Sequence, residues 1–168
     1  MRNIEETLAK LEFAQIGWVV PNIQTTINFL AKSLGVTFPQ PYRYNAEELK
    51  IKYYGKVVPG DGLTTQVYSG GSFIELIQPL SGQGVFHDYL TKNPAGGVQH
   101  LAFRLPVNGF EKVVNDLVQQ GYPLMGEVDH PIARMKFFDT YDTIGVATEI
   151  MGITPEGKIA LDKIMAGG

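Results

Sequence analysis

The sequence feature that most constrains the fold is an internal repeat. The segment FAQIGWVVP at 13–21 aligns without a gap with VQHLAFRLP at 98–106. GSFIELI at 71–77 aligns in the same way with GVATEIM at 145–151. In each half an alternating strand is followed by an apolar stripe at helical spacing and then by further strand-like segments. The chain therefore predicts the order β-α-β-β-β twice, as two related modules.

The individual elements of the first half follow from local signals. Asn22 is a good helix cap, and an amphipathic helix is predicted from Ile23 to Leu34, ended by Gly35. The three strands predicted after it are Leu49–Val58, Thr64–Ser69 and Ser72–Gln78.

In the second half, Asn108 and Glu111 have the spacing of a capping box before a helix that runs up to Gly121. The strands predicted around this helix are Val98–Leu105, Tyr122–Val128, Ile132–Asp139 and Val146–Met151. A linker helix is predicted at Val85–Lys92 and a terminal helix at Thr154–Met165.

Composition excludes several classes of protein. The 168 residues include no cysteine, which rules out disulfide scaffolds, thiol nucleophiles and cysteine-ligated metals. The net charge is −3 without a basic block, so we expect no nucleic-acid partner. No apolar run approaches the roughly 20 residues that span a bilayer, and the N-terminus lacks the pattern of a signal peptide. We therefore expect a cytoplasmic protein that does not enter a membrane.

Four polar side chains occupy equivalent positions in the two modules. Gln15 aligns with His100, and Glu75 aligns with Glu149. Strand alternation places each of them on a mostly apolar face, where a carboxylate needs a cation or a hydrogen-bonding partner. Two carboxylates, an imidazole and an amide oxygen are donors that suit a hard or borderline divalent ion.

Simpler interpretations of these residues remain open. Glu75 could pair with Arg104 or Arg134, and His100 could be a hydrogen-bonded core histidine. Trp18 and Phe103, which also align, are predicted to pack on the opposite sheet face against the two helices.

These motifs resemble the vicinal oxygen chelate superfamily, which contains the glyoxalases, bleomycin resistance proteins and extradiol dioxygenases. IELIQPL at 74–80, FHDYLTKN at 86–93 and GVQHLAF at 97–103 are most similar to the methylmalonyl-CoA epimerase branch. The resemblance implies an α+β fold in which two tandem βαβββ modules form a curved mixed sheet around a central cavity. We expect one domain over 1–168, with module 1 at 12–80, a linker helix at 83–93, module 2 at 97–152 and a C-terminal helix at 154–166.

The resemblance also implies a site. Its metal ligands would be Gln15, Glu75, His100 and Glu149, holding one divalent ion such as Co, Ni, Zn, Mn or Mg. Glu149 and Glu75 would be the catalytic groups. Gln15 departs from the epimerases, which usually have histidine there, although some glyoxalase I enzymes have glutamine.

Two further departures concern the substrate. The epimerases place a catalytic acid near the second strand, but VTFPQ at 36–40 contains none, and Glu47 and Glu48 are the nearest acids. The glyoxalase I arginine that binds glutathione falls on Val19, which argues against glutathione.

The expected function is a metal-dependent isomerase or epimerase that abstracts a proton next to a chelated carbonyl, with an acyl-CoA such as methylmalonyl-CoA as substrate. The alternatives are a metal-free small-molecule binding protein of the resistance type and a glyoxalase I-like lyase; the single histidine of the set disfavours a dioxygenase. Arg134 and Lys136, on one strand face, are candidates for binding an anionic substrate group or a solvent-facing pair. The resemblance also implies a homodimer.

Overall fold

The computed structural model describes residues 11–167, which form a curled, ten-stranded mixed sheet with helices packed against it. The strands are β1 (Glu12–Val19), β2 (Tyr42–Asn45), β3 (Lys52–Tyr53), β4 (Lys56–Val57), β5 (Gly60–Ser69), β6 (Ser72–Gly82), β7 (Gly97–Pro106), β8 (Leu124–His130), β9 (Ala133–Phe138) and β10 (Ala147–Ile153). The helices are α1 (Ile23–Leu34), α2 (Val85–Lys92), α3 (Phe110–Gln119), the single turn α4 (Tyr141–Ile144) and α5 (Pro155–Gly167). The strand order is β2-β5-β6-β1-β7-β10-β9-β8-β3-β4, so the α+β fold expected from the sequence is confirmed.

The sheet is symmetric about its two central strands. β1 and β7 pair antiparallel, and each has a parallel neighbour from its own half, β6 beside β1 and β10 beside β7. Across these strands Gly17 lies between Glu75 and His100, while Ala102 lies between Gln15 and Glu149. The two rows are equivalent under the sequence repeat, which is therefore also a structural repeat. The residue limits of the modules stay a prediction.

Each half buries its own helix against the sheet. Ile23 and Leu30 of α1 pack with Leu76, and Trp18 lies against this cluster. In the other half α3 forms the corresponding cluster, with Phe103 against it; its buried members are Leu105, Phe110, Val113, Val114, Phe138 and Ile150. The predicted positions of Trp18 and Phe103 are confirmed. The four polar residues singled out from the sequence lie on the opposite sheet face.

The two module helices begin differently. The Asn22 side chain accepts a hydrogen bond of 2.9 Å from the Thr25 backbone N–H, as predicted. The predicted capping box of Asn108 and Glu111 is wrong, because a 3-10 turn over Val107–Gly109 precedes α3 and no side chain caps it. Glu111 instead pairs with Arg134 Nη1 at 2.6 Å.

The predicted strand Leu49–Val58 is also wrong. The outer strand of this half is the polar segment β2, and 52–57 forms the β3–β4 hairpin. Tyr54 (φ 46°) and Gly55 (φ 78°) both have positive φ at its tip, the backbone that a two-residue hairpin turn requires. The hairpin pairs with β8 of the other half, Lys52 with Glu127 and Tyr53 with Gly126.

A short turn connects the two ends of the sheet. Residues 46–51 lead from β2 at one end to β3 near the other, and the Ile51 N–H donates to the Ala46 carbonyl at 2.8 Å. The sheet therefore curls around an enclosed space. Among the described helices, none is both long and apolar enough to cross a membrane.

Candidate active site

The four polar side chains that the repeat brings into register meet at the centre of the sheet. The Gln15 amide Nε2 donates to Glu75 Oε2 at 3.0 Å and to Glu149 Oε2 at 3.1 Å. His100 Nε2 lies 3.1 Å from Glu149 Oε2 and 3.5 Å from Glu75 Oε2. Gln15 Nε2 and His100 Nε2 are 3.4 Å apart. The structure thus brings together the whole ligand set named from the sequence; its metal-binding role stays a prediction.

A β-bulge in each central strand aims these side chains. The pairing of β1 with β7 leaves Ala14 as an extra residue before Gln15, and Gln99 as an extra residue before His100. The two bulges occupy equivalent positions of the repeat. Bulges locally twist a strand and redirect its side chains, and they are common beside active sites.

The His100 ring is fixed by packing on several sides. Its side chain is fully buried, and a Cβ added to Gly17 would lie only 1.8 Å from its Cε1 atom. The rings of Phe86 and Phe137 lie 6.0 Å and 5.2 Å from the imidazole, measured between centroids. Only glycine at position 17 leaves room for the ring in this position.

Burial and charge work against each other at this centre. Burial raises the pKa of Glu149, whose side chain is 1% exposed, although the contacts with His100 oppose the rise. Burial lowers the pKa of His100, but its hydrogen bonds to Glu149 and Glu75 outweigh that effect and raise it to about 9. The site therefore favours a positive charge between the two carboxylates, which is either a proton on His100 or a bound cation.

A second group of polar residues supports His100 from behind. His100 Nδ1 lies 2.7 Å from Gln99 Oε1, and Gln99 Nε2 donates to the Tyr141 hydroxyl at 2.8 Å. The sequence analysis missed both residues, because regular strand alternation places Gln99 on the face opposite His100. The bulge that brings the two together has no clear signature in a single sequence.

A cavity of about 400 Å³ lies over the four polar residues. Gln15, Glu75 and Glu149 are in its wall, and the Glu75 side chain is 23% exposed. Both halves of the sheet and α2 contribute to its lining, through residues such as Tyr42, Tyr44, Glu48, Ile51, Ile77, Phe86, His87, His130, Met135 and Phe137. This volume lies within the usual range for small-molecule sites.

Arg134 and Lys136, the substrate-binding candidates, lie on the other face of β9. Met135 and Phe137, which alternate with them, line the cavity. Arg134 pairs with Glu111 and Asp129, and Lys136 lies 3.6 Å from Glu127. Both cations also lie over the Phe110 ring of α3, at 5.0 Å and 5.9 Å from its centroid. Their substrate-binding role stays a prediction that this placement does not support.

Neither arginine that the sequence offered as a partner for Glu75 pairs with it. Arg104 Nε pairs with Glu12 Oε2 at 3.1 Å, and Arg134 lies on the helix face. Gln15 and His100 are the partners of Glu75 instead.

Several cavity residues were not found from the sequence. Tyr42 and Tyr44 lie on β2 and line the cavity. Burial, and to a smaller extent the nearby Glu75 carboxylate, raises the pKa of both hydroxyls, which keeps them protonated. The two tyrosines alternate after Pro41, and this alternation was the one sequence signal that could have indicated a strand with both rings on one face. His87 and His130 also line the cavity, and neither has a counterpart in the repeat that would have pointed to it.

The donor set can be tested for its fit to a divalent ion. Within residues 11–167, no three histidine, aspartate or glutamate side chains are already arranged as a metal site. In the cluster, the Gln15 Nε2 group lies among the atoms that would surround an ion. The oxygen and nitrogen of an amide are nearly isosteric, and the opposite amide orientation presents Oε1 to the same centre. The set of two carboxylates, one imidazole and one amide therefore fits a hard or borderline cation.

The molecule is thus an α+β protein whose curled sheet is built from two β-α-β-β-β halves, with polar side chains from its paired central strands meeting under a cavity. The chain belongs to the Glyoxalase/Bleomycin resistance protein/Dioxygenase superfamily, whose family model matches residues 14–138. This confirms the resemblance seen in the sequence. No curated protein matches the chain significantly.

Solved structures show the same fold at low sequence identity. A methylmalonyl-CoA epimerase from Mycobacterium tuberculosis aligns with a TM-score of 0.61 and 22% identity, over 89% of this chain and 91% of that one. A Streptomyces coelicolor methylmalonyl-CoA epimerase variant in complex with 2-nitronate-propionyl-CoA aligns with a TM-score of 0.59 and 21% identity, over 86% and 95% of the two chains. A hypothetical protein from Bacillus halodurans C-125 aligns with a TM-score of 0.60 and 19% identity, over 84% and 94%.

Proposed function

We propose that the protein is a divalent-metal-dependent epimerase or isomerase that abstracts a proton next to a carbonyl group. The observation that carries this proposal is the convergence of Gln15, Glu75, His100 and Glu149 beside the cavity, where Gln15 and His100 each lie 3.0 to 3.5 Å from both carboxylates. These four residues would hold the ion. When bound, a divalent cation stabilises negative charge on an enolate oxygen, which is worth several kcal/mol in the transition state.

Glu149 and Glu75 are the proposed proton-transfer groups. A general base works best when its pKa lies near the operating pH, and burial raises the pKa of Glu149 in that direction. Glu75 is more exposed to the cavity and reaches the same centre from the other half of the sheet. Two carboxylates from two strands can remove and return a proton at one carbon.

Glu48 is a third carboxylate in the cavity lining. It comes from the turn between β2 and β3 rather than from the central strands. We propose it as the substitute for the acid that the epimerases place near their second strand, acting on the face of the substrate away from Glu149.

The proposed substrate class is an acyl-CoA. Two solved methylmalonyl-CoA epimerase structures of similar fold hold 2-nitronate-propionyl-CoA and methylmalonyl-CoA. The position where glyoxalase I enzymes have the arginine that binds glutathione is here Val19, a fully buried apolar residue, which disfavours the lyase alternative.

The proposal is tested by an acyl-CoA panel in deuterated water. Protein purified without chelator should carry about one divalent ion per chain by elemental analysis and should exchange the substrate α-proton for deuterium. Treatment with EDTA should abolish the exchange, and added Co²⁺ or Mn²⁺ should restore it. Full exchange activity in protein shown to hold no metal would contradict the mechanism.

A metal-free binding protein is the second candidate, and one observation favours it. Gln15 Nε2 bridges the two carboxylates directly, and no buried side-chain polar atom within residues 11–167 lacks a hydrogen-bond partner. Under this alternative, gently purified protein holds no stoichiometric ion and binds a small apolar ligand in the cavity without turning it over.

The homodimer and the cytoplasmic location stay predictions. Light scattering on the purified full chain measures the first, and cell fractionation measures the second.

A further inference from the structure

We infer that Gln99 and Tyr141 are positioning residues that hold His100 with its Nδ1 protonated and its Nε2 facing the two carboxylates. The inference rests on the proposed function in one respect, since Nε2 would be the atom offered to a cation. Its structural content, the orientation and proton of the ring, is independent of any metal.

The first argument is geometric. The Gln99 Oε1 atom accepts from His100 Nδ1 at 2.7 Å, and the Gln99 Nε2 group is held by the Tyr141 hydroxyl at 2.8 Å. An acceptor at Nδ1 keeps a proton on that atom in both the charged and the neutral ring. In the neutral ring the Nε2 lone pair is then left for a ligand, as in metal sites where a second residue orients the histidine. The Gln99 amide can keep this orientation because its other end is also bonded.

The second argument comes from the repeat, which supplies a control within the molecule. Ala14 occupies the bulge of β1 at the position equivalent to Gln99, and it is 3% exposed. The fold therefore tolerates alanine at this bulge. Gln99 is fully buried, and burying an amide is unfavourable unless all its hydrogen bonds are made. Since the bulge itself does not require a polar residue, we explain the buried Gln99 by its hydrogen bond to the adjacent His100.

The third argument concerns Tyr141, which starts the single-turn helix α4. Its neighbour Thr140 is tied by hydrogen bonds of 2.7 Å to the Val146 carbonyl and 2.9 Å to Thr148. The Tyr141 ring also stacks on Tyr89 of α2, with 6.4 Å between centroids and an interplanar angle of 18°. Tyr141 is thus fixed through the neighbouring residue Thr140 and through its own ring.

The main test uses the histidine ring nitrogens. The chain has 3 histidines, so ¹H–¹⁵N correlation spectra of the metal-free, ¹⁵N-labelled full chain contain three imidazole patterns, assigned with H87N and H130N. The wild type should show a His100 Nδ1 proton in slow exchange with water. Gln99→Ala, which copies the residue found at the equivalent bulge, should lose that proton or exchange it at least about tenfold faster. Gln99→Glu should keep it, because a carboxylate also accepts from Nδ1.

Both variants remove the native amide, but only Gln99→Glu keeps an acceptor for the Nδ1 proton. A difference in the exchange of this proton between the two variants therefore distinguishes positioning of the ring from simple packing. Circular dichroism checks that each variant is folded. A wild-type His100 without a proton on Nδ1 overturns the inference, as does an unchanged Nδ1 proton in Gln99→Ala.

A second measurement tests the link to the proposed function. Calorimetric titration with Zn²⁺ should give an affinity roughly 10- to 100-fold weaker for Gln99→Ala, as for other residues that orient a metal ligand. Tyr141→Phe should lie between Gln99→Ala and the wild type. If the wild type binds no Zn²⁺ or other divalent ion, the proposed function fails, while the ring-nitrogen spectra still decide the inference. If the wild type binds Zn²⁺ and Gln99→Ala binds it equally well, the inference fails and the proposed function stands.

Discussion

The two halves of the central site share a backbone register but differ in their surroundings. Glu149 and His100 belong to the second half and are almost completely buried, with side-chain exposures of 1% and 0%. Glu75, the counterpart of Glu149, is 23% exposed and reaches the cavity. The second half also has the polar bulge residue Gln99, where the first half has Ala14.

This difference assigns different tasks to equivalent positions. The second half anchors a fixed pair, in which His100 is held by Gln99, Phe86 and Phe137. The first half supplies the more accessible carboxylate. A duplicated backbone thus sets where four side chains meet, while the residues around each one determine how deeply it is buried and which hydrogen bonds hold it.

The largest expected effect distinguishes the two carboxylates. Glu149→Gln should weaken divalent-ion affinity by roughly 100-fold, since removing one partner of a buried charged group costs at least about 3 kcal/mol. Glu75→Gln should weaken it only about tenfold, because solvent screens the more exposed group. Calorimetric titration measures both, and equal losses would remove the distinction between the halves.

The next effect concerns Gly17 and Ala102, the equivalent small residues that lie between the polar side chains on the central strands. Gly17→Ala should destabilise the protein by about 1–3 kcal/mol, because the new Cβ would overlap the His100 ring. Ala102→Gly, the matched change in the other row, should cost only about 1 kcal/mol through added chain entropy. Urea unfolding measures both free energies. A Gly17→Ala protein as stable as the wild type would mean that the ring can move aside.

The pH dependence of the metal-free protein should follow the buried pair. The folded-state pKa of His100 is about 9, above the value near 6.5 of an unfolded histidine. Its stabilising contribution is therefore complete below about pH 6.5 and is lost as the pH rises through about 9. The raised pKa of Glu149 acts in the same direction.

Thermal melts of EDTA-treated protein should accordingly show a Tm several degrees lower at pH 9.5 than at pH 6.5. Glu149→Gln should flatten this dependence more than Glu75→Gln does. A Tm that rises over this interval contradicts the assigned pKa shifts.

The smallest effect compares the two module helices. Asn22→Ala should cost about 1 kcal/mol, because it removes the hydrogen bond to the Thr25 N–H. Asn108→Ala should change the unfolding free energy by less than about 0.5 kcal/mol, because Asn108 does not cap α3. Chemical denaturation of both variants checks the pair, and a similar loss in each would show that Asn108 has a role outside the cap.

The sequence predicted the centre of the molecule well and its margins poorly. The central strands alternate strongly and occur twice, so the register of Gln15 with His100 and of Glu75 with Glu149 could be read directly. β2 was missed because YRYN at 42–45 is polar and follows two prolines, and its pairing with β5 is non-local. The β3–β4 hairpin joins the other half of the sheet, and such long-range pairing leaves little local signal.

The supporting residues of the site were also beyond a single sequence. Gln99 depends on a bulge, and Tyr141 lies in a single helical turn far along the chain. Arg134 and Lys136 share a strand face as predicted, but which face looks into the cavity depends on the curl of the sheet.

The turn at 46–51 limits how far the sheet can open. Asn45 and Lys52 are separated by few enough residues that a fully extended chain between them spans at most about 25 Å. In a flat sheet the strands β2 and β3 would lie about 38 Å apart, at roughly 4.8 Å per strand. The covalent connection between β2 and β3 is therefore too short for a flat sheet, and the sheet must curl. Any opening of the cavity for a large substrate must come from bending within the sheet or release of the short β3–β4 hairpin, without separating the two ends of the sheet.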